Sequence, residues 1–332
     1  MLEISQSELK TWNRCPKSWE YKYLQKLESK RRVRPLFTGS WVHACLETYY
    51  KEGYWEVGHH RFLSEYNKLF DEEKVGLDRF GRLPDVVSRI IRSYLWYYRN
   101  DDWKIILTEY KFKVELKSRG RLPILLKGIV DLVEEDEDGL WVVDHKTGVT
   151  IPEPTAFHAM DPQLMIYPWA LKKSLQLDIT GVKYNYVKSK APGDPKINKD
   201  GSLSRRRVVT DYPTLMRFFK REGIDPQEYV DVLRPLQRRS PFLRRYKLPR
   251  EQRVTEEILR DILTVTDRMQ QSRRYNRVIT RECNRQCSYH DLCRAELNGF
   301  DSDAIRRDQF TVKEADGDLV TEDLDGDEAE ET

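Results

Sequence analysis

Two apolar runs rich in β-branched residues stand out in the hydrophobic pattern of the chain, Ile124–Val133 and Leu140–Lys146. An acidic stretch that ends in Asp138 and Gly139 separates them. Strand residues joined by Asp-Gly are typical of an antiparallel β-hairpin. Both faces of these strands are otherwise apolar, so the pattern predicts a hairpin that is largely buried.

The predicted hairpin carries three charged residues, Asp131, Asp144 and Lys146. Side chains alternate between faces along a strand, so Asp144 and Lys146 point the same way. A four-residue loop would place Asp131 opposite Asp144, and a two-residue loop would place it opposite Lys146. A buried ion pair with a spare carboxylate is one interpretation. One lysine cannot neutralise two carboxylates, however, so we favour a bound divalent cation such as Mg²⁺.

Helices and two further strands are predicted for much of the remaining chain. A capping box at residues 5–8 predicts the start of the first helix. Asp161 followed by Pro162 predicts the start of another, in which Pro168 should cause a kink. Helical patterns cover residues 3–27, 38–51, 54–104 and 256–274, and strand patterns cover residues 108–116 and 181–188. Glu109 and Glu115 on the first of these strands could approach the site of the charged hairpin residues, but we favour the alternative that they face solvent or pair with lysines.

The hairpin resembles the active site of a known nuclease family. The residues GIVD at 128–131 and VVDHKTG at 142–148 are similar to the active-site hairpin of PD-(D/E)XK nucleases of the RecB type. The resemblance implies that Asp131 and Asp144 are the catalytic acids. It also implies that Lys146 positions the water that hydrolyses the phosphodiester.

Two further motifs follow the order of this family. His43 and Glu47, within G-S-x-x-H-x-x-x-E, lie four apart and share one face of a predicted helix. The resemblance implies that His43 and the backbone carbonyl of His145 bind the metal with the two acids. Glu47 is a weaker candidate, which would orient the histidine. Gln163 and Tyr167 match a Q-x-x-x-Y motif whose members contact DNA and support the active site.

Three cysteines follow a C-x₃-C-x₅-C spacing, Cys283, Cys287 and Cys293. In an intracellular chain this spacing indicates metal or cluster ligation. With Cys15 as the fourth ligand, the pattern resembles that of AddB-like and CRISPR-associated RecB-family exonucleases. The resemblance implies a [4Fe–4S] cluster that joins the two ends of the fold. The first gap is one residue longer than usual, which leaves Zn²⁺, or His290 as a ligand, as alternatives.

Charge is distributed unevenly along the chain. The formal net charge is +3, but residues 311–332 hold ten acidic residues and one lysine, so residues 1–310 carry about +12. Basic and aromatic residues interleave between Arg205 and Arg253. That mixture favours a region that guides DNA, with a solvated insertion as the alternative. The hydrophobic pattern is lost from Phe300 onward, so the acidic tail is expected to be disordered.

These features predict an α/β protein with a restriction-endonuclease-like core, in which helices flank a central mixed β-sheet. A helical N-terminal segment and a Cys-rich C-terminal cap complete the fold. The predicted segments are a helical region with the first cluster cysteine (1–104), the nuclease core (105–190), a basic DNA-guiding insertion (191–255), a C-terminal helix with the cysteine cap (256–300) and an acidic tail (301–332).

The predicted function is a Mg²⁺- or Mn²⁺-dependent DNA exonuclease acting on single-stranded or end-containing DNA in recombination, repair or replication. Two alternatives stay open: an inactive nuclease-fold subunit that binds DNA, and a zinc-stapled interaction scaffold. No G-x-x-x-x-G-K-[ST] motif is present, so unwinding would require a helicase or another recombination or replication protein. The absence of an apolar leader or a membrane-length apolar run predicts a soluble protein in the cytoplasm of a bacterial or virus-infected cell.

Overall fold

The computed structural model describes residues 1–313, except residues 118–119, 154–157, 159, 201 and 205–208. The chain divides into two compact units. The first consists of residues 1–13 and 31–273, and the second consists of residues 14–30 and those from 274 onward. Part of the predicted DNA-guiding region, Arg205–Arg207, and the tail from residue 314 lie outside the described residues.

A mixed β-sheet forms the centre of the first unit. The strands of the described residues are β1 (Leu2–Ser5), β2 (Leu27–Ser29), β3 (Lys104–Leu116), β4 (Ile124–Asp136), β5 (Gly139–Gly148), β6 (Ile179–Lys188), β7 (Leu243–Pro249) and β8 (Phe310–Val312). In the central sheet β1 runs parallel to β4 and β5 runs parallel to β6, while β3–β4, β4–β5 and β6–β7 are antiparallel pairs. The sheet extends beyond the predicted 105–190 core at both ends, because β1 and β7 belong to it.

Helices flank this sheet, which confirms the predicted α/β architecture. The helices of the described residues, in both units, are α1 (Gln6–Arg14), α2 (Pro16–Trp19), α3 (Arg34–Glu52), α4 (Trp55–Asn67), α5 (Asp71–Leu77), α6 (Leu83–Tyr97), α7 (Pro162–Leu175), α8 (Tyr212–Glu222), α9 (Val230–Arg238), α10 (Gln252–Gln271), α11 (Cys283–Gln286), α12 (His290–Asn298) and α13 (Ser302–Gln309). Helix α7 continues through Pro168. Within the described ranges, no helix combines the length and apolar character needed to cross a bilayer.

The predicted hairpin is formed by β4 and β5. Its ladder ends at the pair Leu132–Val143. In the same register Asp131 lies opposite Asp144, which is the arrangement expected for the longer loop. The loop nevertheless has two residues, because Gly139 already pairs across the hairpin. Gly139 has a φ of +115°, a conformation that glycine adopts without a steric penalty.

Helix α3 packs closely on the sheet. It begins at Arg34, earlier than predicted, because Pro35 is well suited to the first turn of a helix. It ends before Gly53, whose φ of +82° gives the expected left-handed cap. A Cβ atom added to Gly39 would lie 2.8 Å from Thr147 Oγ1. The glycine therefore allows the close approach of α3 to β5.

The predicted basic insertion differs from expectation in its aromatic residues. Phe218, Phe219 and Phe242 are buried, so they pack in the protein and are not available to stack on DNA bases. Phe218 and Phe219 belong to a small core formed by α8 and α9. Tyr212 and Tyr246 are only half-buried. The insertion is thus a packed subdomain that leads into β7 of the central sheet.

The second unit brings together an N-terminal and a C-terminal segment. Strand β2 pairs with β8 in antiparallel orientation. Tyr21, Tyr289 and Phe310 share a hydrophobic core, in which the Tyr289 and Phe310 rings stack 5.4 Å apart. The prediction of disorder from residue 301 is therefore wrong for residues 302–312, because Phe310 anchors this segment by apolar burial.

Candidate active site

The candidate active site lies where β4 and β5 diverge. Beyond the pair Leu132–Val143 the ladder between the two strands ends, and the backbone N–H of His145 donates to Asp131 Oδ2 over 2.8 Å. The N–H and C=O groups of a strand residue point to the same side. The carbonyl of His145 is therefore directed to the gap that Asp131 borders.

Asp144 and Lys146 form a close pair in this gap. Lys146 Nζ lies 3.0 Å from Asp144 Oδ1 and 2.7 Å from Oδ2. The second contact is not aligned as a hydrogen bond, and the buried Oδ2 atom has no hydrogen-bond donor among the described residues. Asp144 is only 1% exposed. The lysine thus leaves one carboxylate oxygen incompletely satisfied.

The pKa shifts of this pair agree with that geometry. Burial raises the pKa of Asp144 to about 7, although the ammonium of Lys146 lowers it. Burial also acts to lower the pKa of Lys146, but Asp144 outweighs that effect and the net shift of the pKa is upward. The charged form of Lys146 is thus stabilised by Asp144. The charged form of Asp144 is stabilised by Lys146 by less than its burial destabilises it. A further cation near Asp144 would offset the rest of the cost of burying its negative charge.

Gln163 and Tyr167, on helix α7, lie next to the pair of Asp144 and Lys146. The helix starts as predicted, because Asp161 Oδ1 accepts from the backbone N–H of Gln163 over 3.0 Å. The amide oxygen of Gln163 lies 3.4 Å from Lys146 Nζ, and Gln163 Nε2 lies 2.5 Å from the hydroxyl of Tyr167. Tyr167 is only 5% exposed. The tyrosine therefore orients Gln163 and has little surface for contact with DNA.

His43 approaches the site from α3. Its Nδ1 atom lies 3.6 Å from Asp131 Oδ2, and its ring meets that of His145 edge-on at 5.9 Å. Glu47, one turn further along the helix, accepts a hydrogen bond from Arg61 Nη2 over 3.2 Å. The structure therefore gives Glu47 a partner other than the histidine it was predicted to orient.

Glu109 lies next to Asp131, an approach to the site that was the less favoured of two alternatives for this residue. It lies opposite Asp131 in the β3–β4 register, and its φ of +47° is left-handed, which is uncommon for a residue within a strand. Burial, followed by the charges of Asp131 and Glu47, raises the pKa of Glu109 to about 7. The expectation that it faces solvent or pairs with a lysine is wrong. The approach depends on a local backbone distortion for which the residue pattern holds no signal.

Asp131, Asp144 and the backbone carbonyl of His145 are the candidate ligands of a divalent cation. Over the described part of the chain, no three His, Cys, Asp or Glu side chains are arranged to hold a metal ion by themselves. Mg²⁺, however, is usually held by one or two carboxylates together with substrate phosphate oxygens and water. Two carboxylates, one of them with an unsatisfied oxygen, and a backbone carbonyl fit that mode.

The four candidate cluster cysteines come together in the second unit. Cys15, Cys283, Cys287 and Cys293 line one cavity of about 250 Å³, which His290 also lines. Burial raises the pKa of Cys287. The four cysteines line one cavity, although among the described residues their side chains do not form a group arranged to hold a metal ion.

Backbone amides of the loop before α11 point at two of these sulfur atoms. The N–H of Val278 lies 3.5 Å from Cys15 Sγ, and the N–H of Thr280 lies 3.4 Å from Cys283 Sγ. Hydrogen bonds to sulfur stabilise thiolates and are a recurrent feature of iron–sulfur sites. The cavity thus has the chemical character of a site for thiolate ligands.

Comparison with known proteins identifies the family. The sequence pattern of the PD-(D/E)XK nuclease superfamily matches residues 3–294. The chain belongs to this superfamily. No curated protein matches it. Nucleases of this superfamily commonly use Mg²⁺ or Mn²⁺, and the central mixed sheet flanked by helices is its restriction-endonuclease-like fold.

Two solved structures are distantly similar to this chain. The crystal structure of SSO0001 shares 14% identity over 88% of this chain and 86% of its own, with a TM-score of 0.34. A candidate exonuclease from Eubacterium rectale shares 12% identity over 70% of this chain and 82% of its own, with a TM-score of 0.36.

Proposed function

We propose that this protein is a Mg²⁺- or Mn²⁺-dependent DNA exonuclease. The observation that carries the proposal is the convergence of Asp131, Asp144, Lys146 and Gln163 at the open end of the β4–β5 ladder. These four groups come from three separate elements, and no structural ion pair requires all of them. An inactive DNA-binding subunit would have no need for the complete set.

Asp131, Asp144, the carbonyl of His145 and His43 would hold the metal. The Oδ2 atom of the buried Asp144 has an ion-pair contact with Lys146 but no aligned hydrogen-bond donor among the described residues, which supports this assignment. When bound, a divalent cation would stabilise charge that develops on the phosphodiester oxygens. His43 Nδ1 lies 3.6 Å from Asp131 Oδ2, which supports a role for His43 as a ligand of the same metal.

The remaining residues have roles that follow from their contacts. Lys146 would orient the hydrolytic water and offset negative charge on the phosphate, because its ammonium contacts Asp144 and its side chain is 33% exposed. Gln163 contacts Lys146 and Tyr167, so it would hold the ammonium in place. Tyr167 supports Gln163 from a buried position.

Aromatic residues beside the site support single-stranded DNA, or DNA with unpaired ends, as the substrate. In the sheet register Lys146 neighbours Tyr186, which neighbours Arg244, so the three lie on one face. Tyr186 and Tyr246 are half-buried, and their rings lie 5.9 Å apart. Partly exposed aromatic rings next to an arginine are suited to stack on bases and to bind phosphate.

Digestion of end-labelled DNA tests the proposal. The full chain should degrade single-stranded oligonucleotides with Mg²⁺ or Mn²⁺ and should lose activity with a chelator. Asp144→Asn should lower the rate by more than about a hundredfold, since even residues that only orient metal ligands cost roughly 10- to 100-fold. Asp138→Asn, the same substitution at the exposed hairpin tip, should leave the rate unchanged.

Equal inactivity of the unaltered chain and of Asp144→Asn, with both still binding DNA, would instead support the inactive subunit. A substrate labelled at both ends and one without ends separate exonuclease from endonuclease cleavage. For a role in recombination, repair or replication, a partner helicase would be expected to make blunt duplex DNA a substrate. Resistance of blunt duplex DNA in the presence of an ATP-driven helicase would contradict that role.

We also propose that Cys15, Cys283, Cys287 and Cys293 bind a [4Fe–4S] cluster, as in iron–sulfur relatives of the RecB type. The support is the shared cavity, together with the backbone N–H groups that face the sulfur atoms of Cys15 and Cys283. Protein purified without oxygen should contain about four iron atoms per chain. Cys287→Ser should lose iron, whereas Cys45→Ser, at a buried cysteine in the first unit, should retain it. One zinc ion per chain and no iron would contradict the proposal.

A further inference from the structure

A row of polar side chains crosses the sheet directly behind the candidate active site. In the strand register His145 neighbours Asn185, and Asn185 neighbours Arg245. Successive strand residues face opposite sides, so this row lies on the face away from Asp144 and Lys146. His145 is 4% exposed and Asn185 is fully buried. The proposed hydrolysis uses none of these three side chains.

Arg245 is anchored within the protein, although its place in a basic stretch favoured contact with DNA. Its guanidinium pairs with Asp101, and Arg245 Nη2 donates to the hydroxyl of Tyr94 over 2.9 Å. The centre of the guanidinium lies 3.3 Å from the ring of Tyr98 and 3.9 Å from that of Trp103. The side chain is only 15% exposed. Arg245 is therefore a fixed cation with its hydrogen bonds directed inward.

The guanidinium determines which way the Asn185 amide points. Arg245 Nε lies 3.3 Å from Asn185 Oδ1. A guanidinium has only donors, so the amide oxygen must face it and the NH₂ group must face the other way. That group lies 2.7 Å from His145 Nδ1 and 2.8 Å from the hydroxyl of Tyr94. His145 Nδ1 must accept, which places the single proton of the neutral imidazole on Nε2.

The imidazole is held on a second side by an aromatic ring. The ring of Tyr50 stacks on that of His145 with centroids 5.9 Å apart and an interplanar angle of 13°. The hydroxyl of Tyr50 lies 2.6 Å from that of Tyr94, which also receives the hydrogen bonds from Asn185 and Arg245. The polar row and its flanking tyrosines thus fix the position of His145 within the sheet.

The backbone of the same histidine joins the two catalytic acids. Its N–H donates to Asp131 Oδ2, and its chain neighbours are Asp144 and Lys146. We infer that Arg245 and Asn185 are positioning residues of the nuclease site, which hold His145 so that this backbone segment keeps its geometry. The inference rests on the proposed nuclease function, and it concerns groups that touch neither metal nor DNA.

Steady-state kinetics on end-labelled DNA with Mn²⁺ tests the inference. Arg245→Lys keeps the charge but loses the Nε donor, and Asn185→Asp keeps the shape but loses the NH₂ donor. Both should lower kcat about tenfold or more with KM within about twofold of the unaltered chain, as expected for residues that orient a metal site. Lys247→Arg, on the same strand and face but remote from His145, should leave both constants unchanged.

The tautomer of His145 provides a readout that does not require activity. In ¹⁵N NMR of histidine-labelled protein without metal or DNA, assigned with a His145→Gln variant, the unaltered chain should carry the proton on Nε2. Asn185→Asp should move the proton to Nδ1, because a carboxylate can only accept. A proton on Nδ1 in the unaltered chain would overturn the inference.

Kinetic outcomes separate this inference from the proposed function. Unaltered protein that cleaves no DNA would refute the nuclease proposal, and with it the positioning role that rests on it. An active unaltered protein whose Arg245→Lys and Asn185→Asp variants keep its kcat would refute the positioning role and leave the nuclease proposal intact. A fall in kcat accompanied by an equal fall in the urea midpoint of all variants, Lys247→Arg included, would also refute it.

Discussion

Replacement of Lys183 by methionine should destabilise the first unit by about 3–5 kcal/mol, the usual cost of breaking a buried ion pair from one side. Lys183 is 3% exposed, and its ammonium contacts Glu134 and lies 2.6 Å from Asp136 Oδ2. Glu134 is fully buried, and its second carboxylate oxygen has no hydrogen-bond donor among the described residues. Asp136 would keep Lys247, 2.9 Å away. The loss therefore falls on Glu134.

The size of this loss should depend on pH. Burial already raises the pKa of Glu134, against the opposing effect of Lys183, so the variant should have a still higher pKa in the folded state. A carboxyl group with a folded-state pKa above its unfolded value stabilises the fold at low pH, and that stability is lost as the pH rises through the folded-state pKa. Lys183→Met should therefore be more destabilising at pH 8 than at pH 5.

Urea unfolding without divalent metal, followed by tryptophan fluorescence, measures both effects. The ring of Trp141 lies 5.4 Å from Lys183 Nζ and reports on this region. Lys247→Met removes a lysine whose side chain is 44% exposed, so it should cost at most about 1 kcal/mol. The double variant Lys183→Met with Glu134→Leu should recover most of the loss. A loss in Lys183→Met no greater than that in Lys247→Met, or one independent of pH, would refute the reasoning.

Two glycines give further predictions for thermal unfolding. Gly58→Ala should destabilise the first unit by several kcal/mol, because the new Cβ would lie 2.1 Å from the backbone oxygen of Ala44 where α4 crosses α3. Gly76→Ala, with open space around the Cβ, should be neutral or slightly stabilising and serves as the control. Gly128→Ala should cost about 1–3 kcal/mol, because its Cβ would lie 2.6 Å from Phe112 Cζ. An unchanged melting temperature in either Gly58→Ala or Gly128→Ala would contradict the close packing.

The hairpin was predictable because its signal is local. Long β-branched runs and a glycine next to a tight turn define the strands, and the charged residues stand out against an apolar background. Strands β1 and β7 were not predicted. β1 has four residues and runs directly into a helix cap, and β7 is dominated by charged residues. Their strand conformation comes from neighbours distant in sequence, which a local pattern does not contain.

The surroundings of several charged residues could not be predicted from the local sequence either. Arg244 and Arg245 are adjacent in a basic stretch and look equivalent in the sequence. In the sheet they face opposite sides, and only Arg244 shares the face of Lys146. Glu109 itself has a left-handed backbone conformation within β3, and its approach to the site depends on that conformation. Each outcome depends on register or on one backbone torsion, and residue type determines neither.

Register is also what joins the polar row to the active site. In three neighbouring strands, residues 144–146, 184–186 and 244–246 alternate in the same way, so one face carries the carboxylate, lysine and tyrosines and the other carries the polar row. A slip of one residue in any strand would exchange the two faces. Only the observed register lets Arg245 reach the oxygen of Asn185 while the NH₂ group reaches the next strand. A slip of a strand on either side of β6 would leave the buried Asn185 without His145 or Arg245 as a partner, at a cost of several kcal/mol. The buried row therefore selects the register that the carboxylates on the other face require.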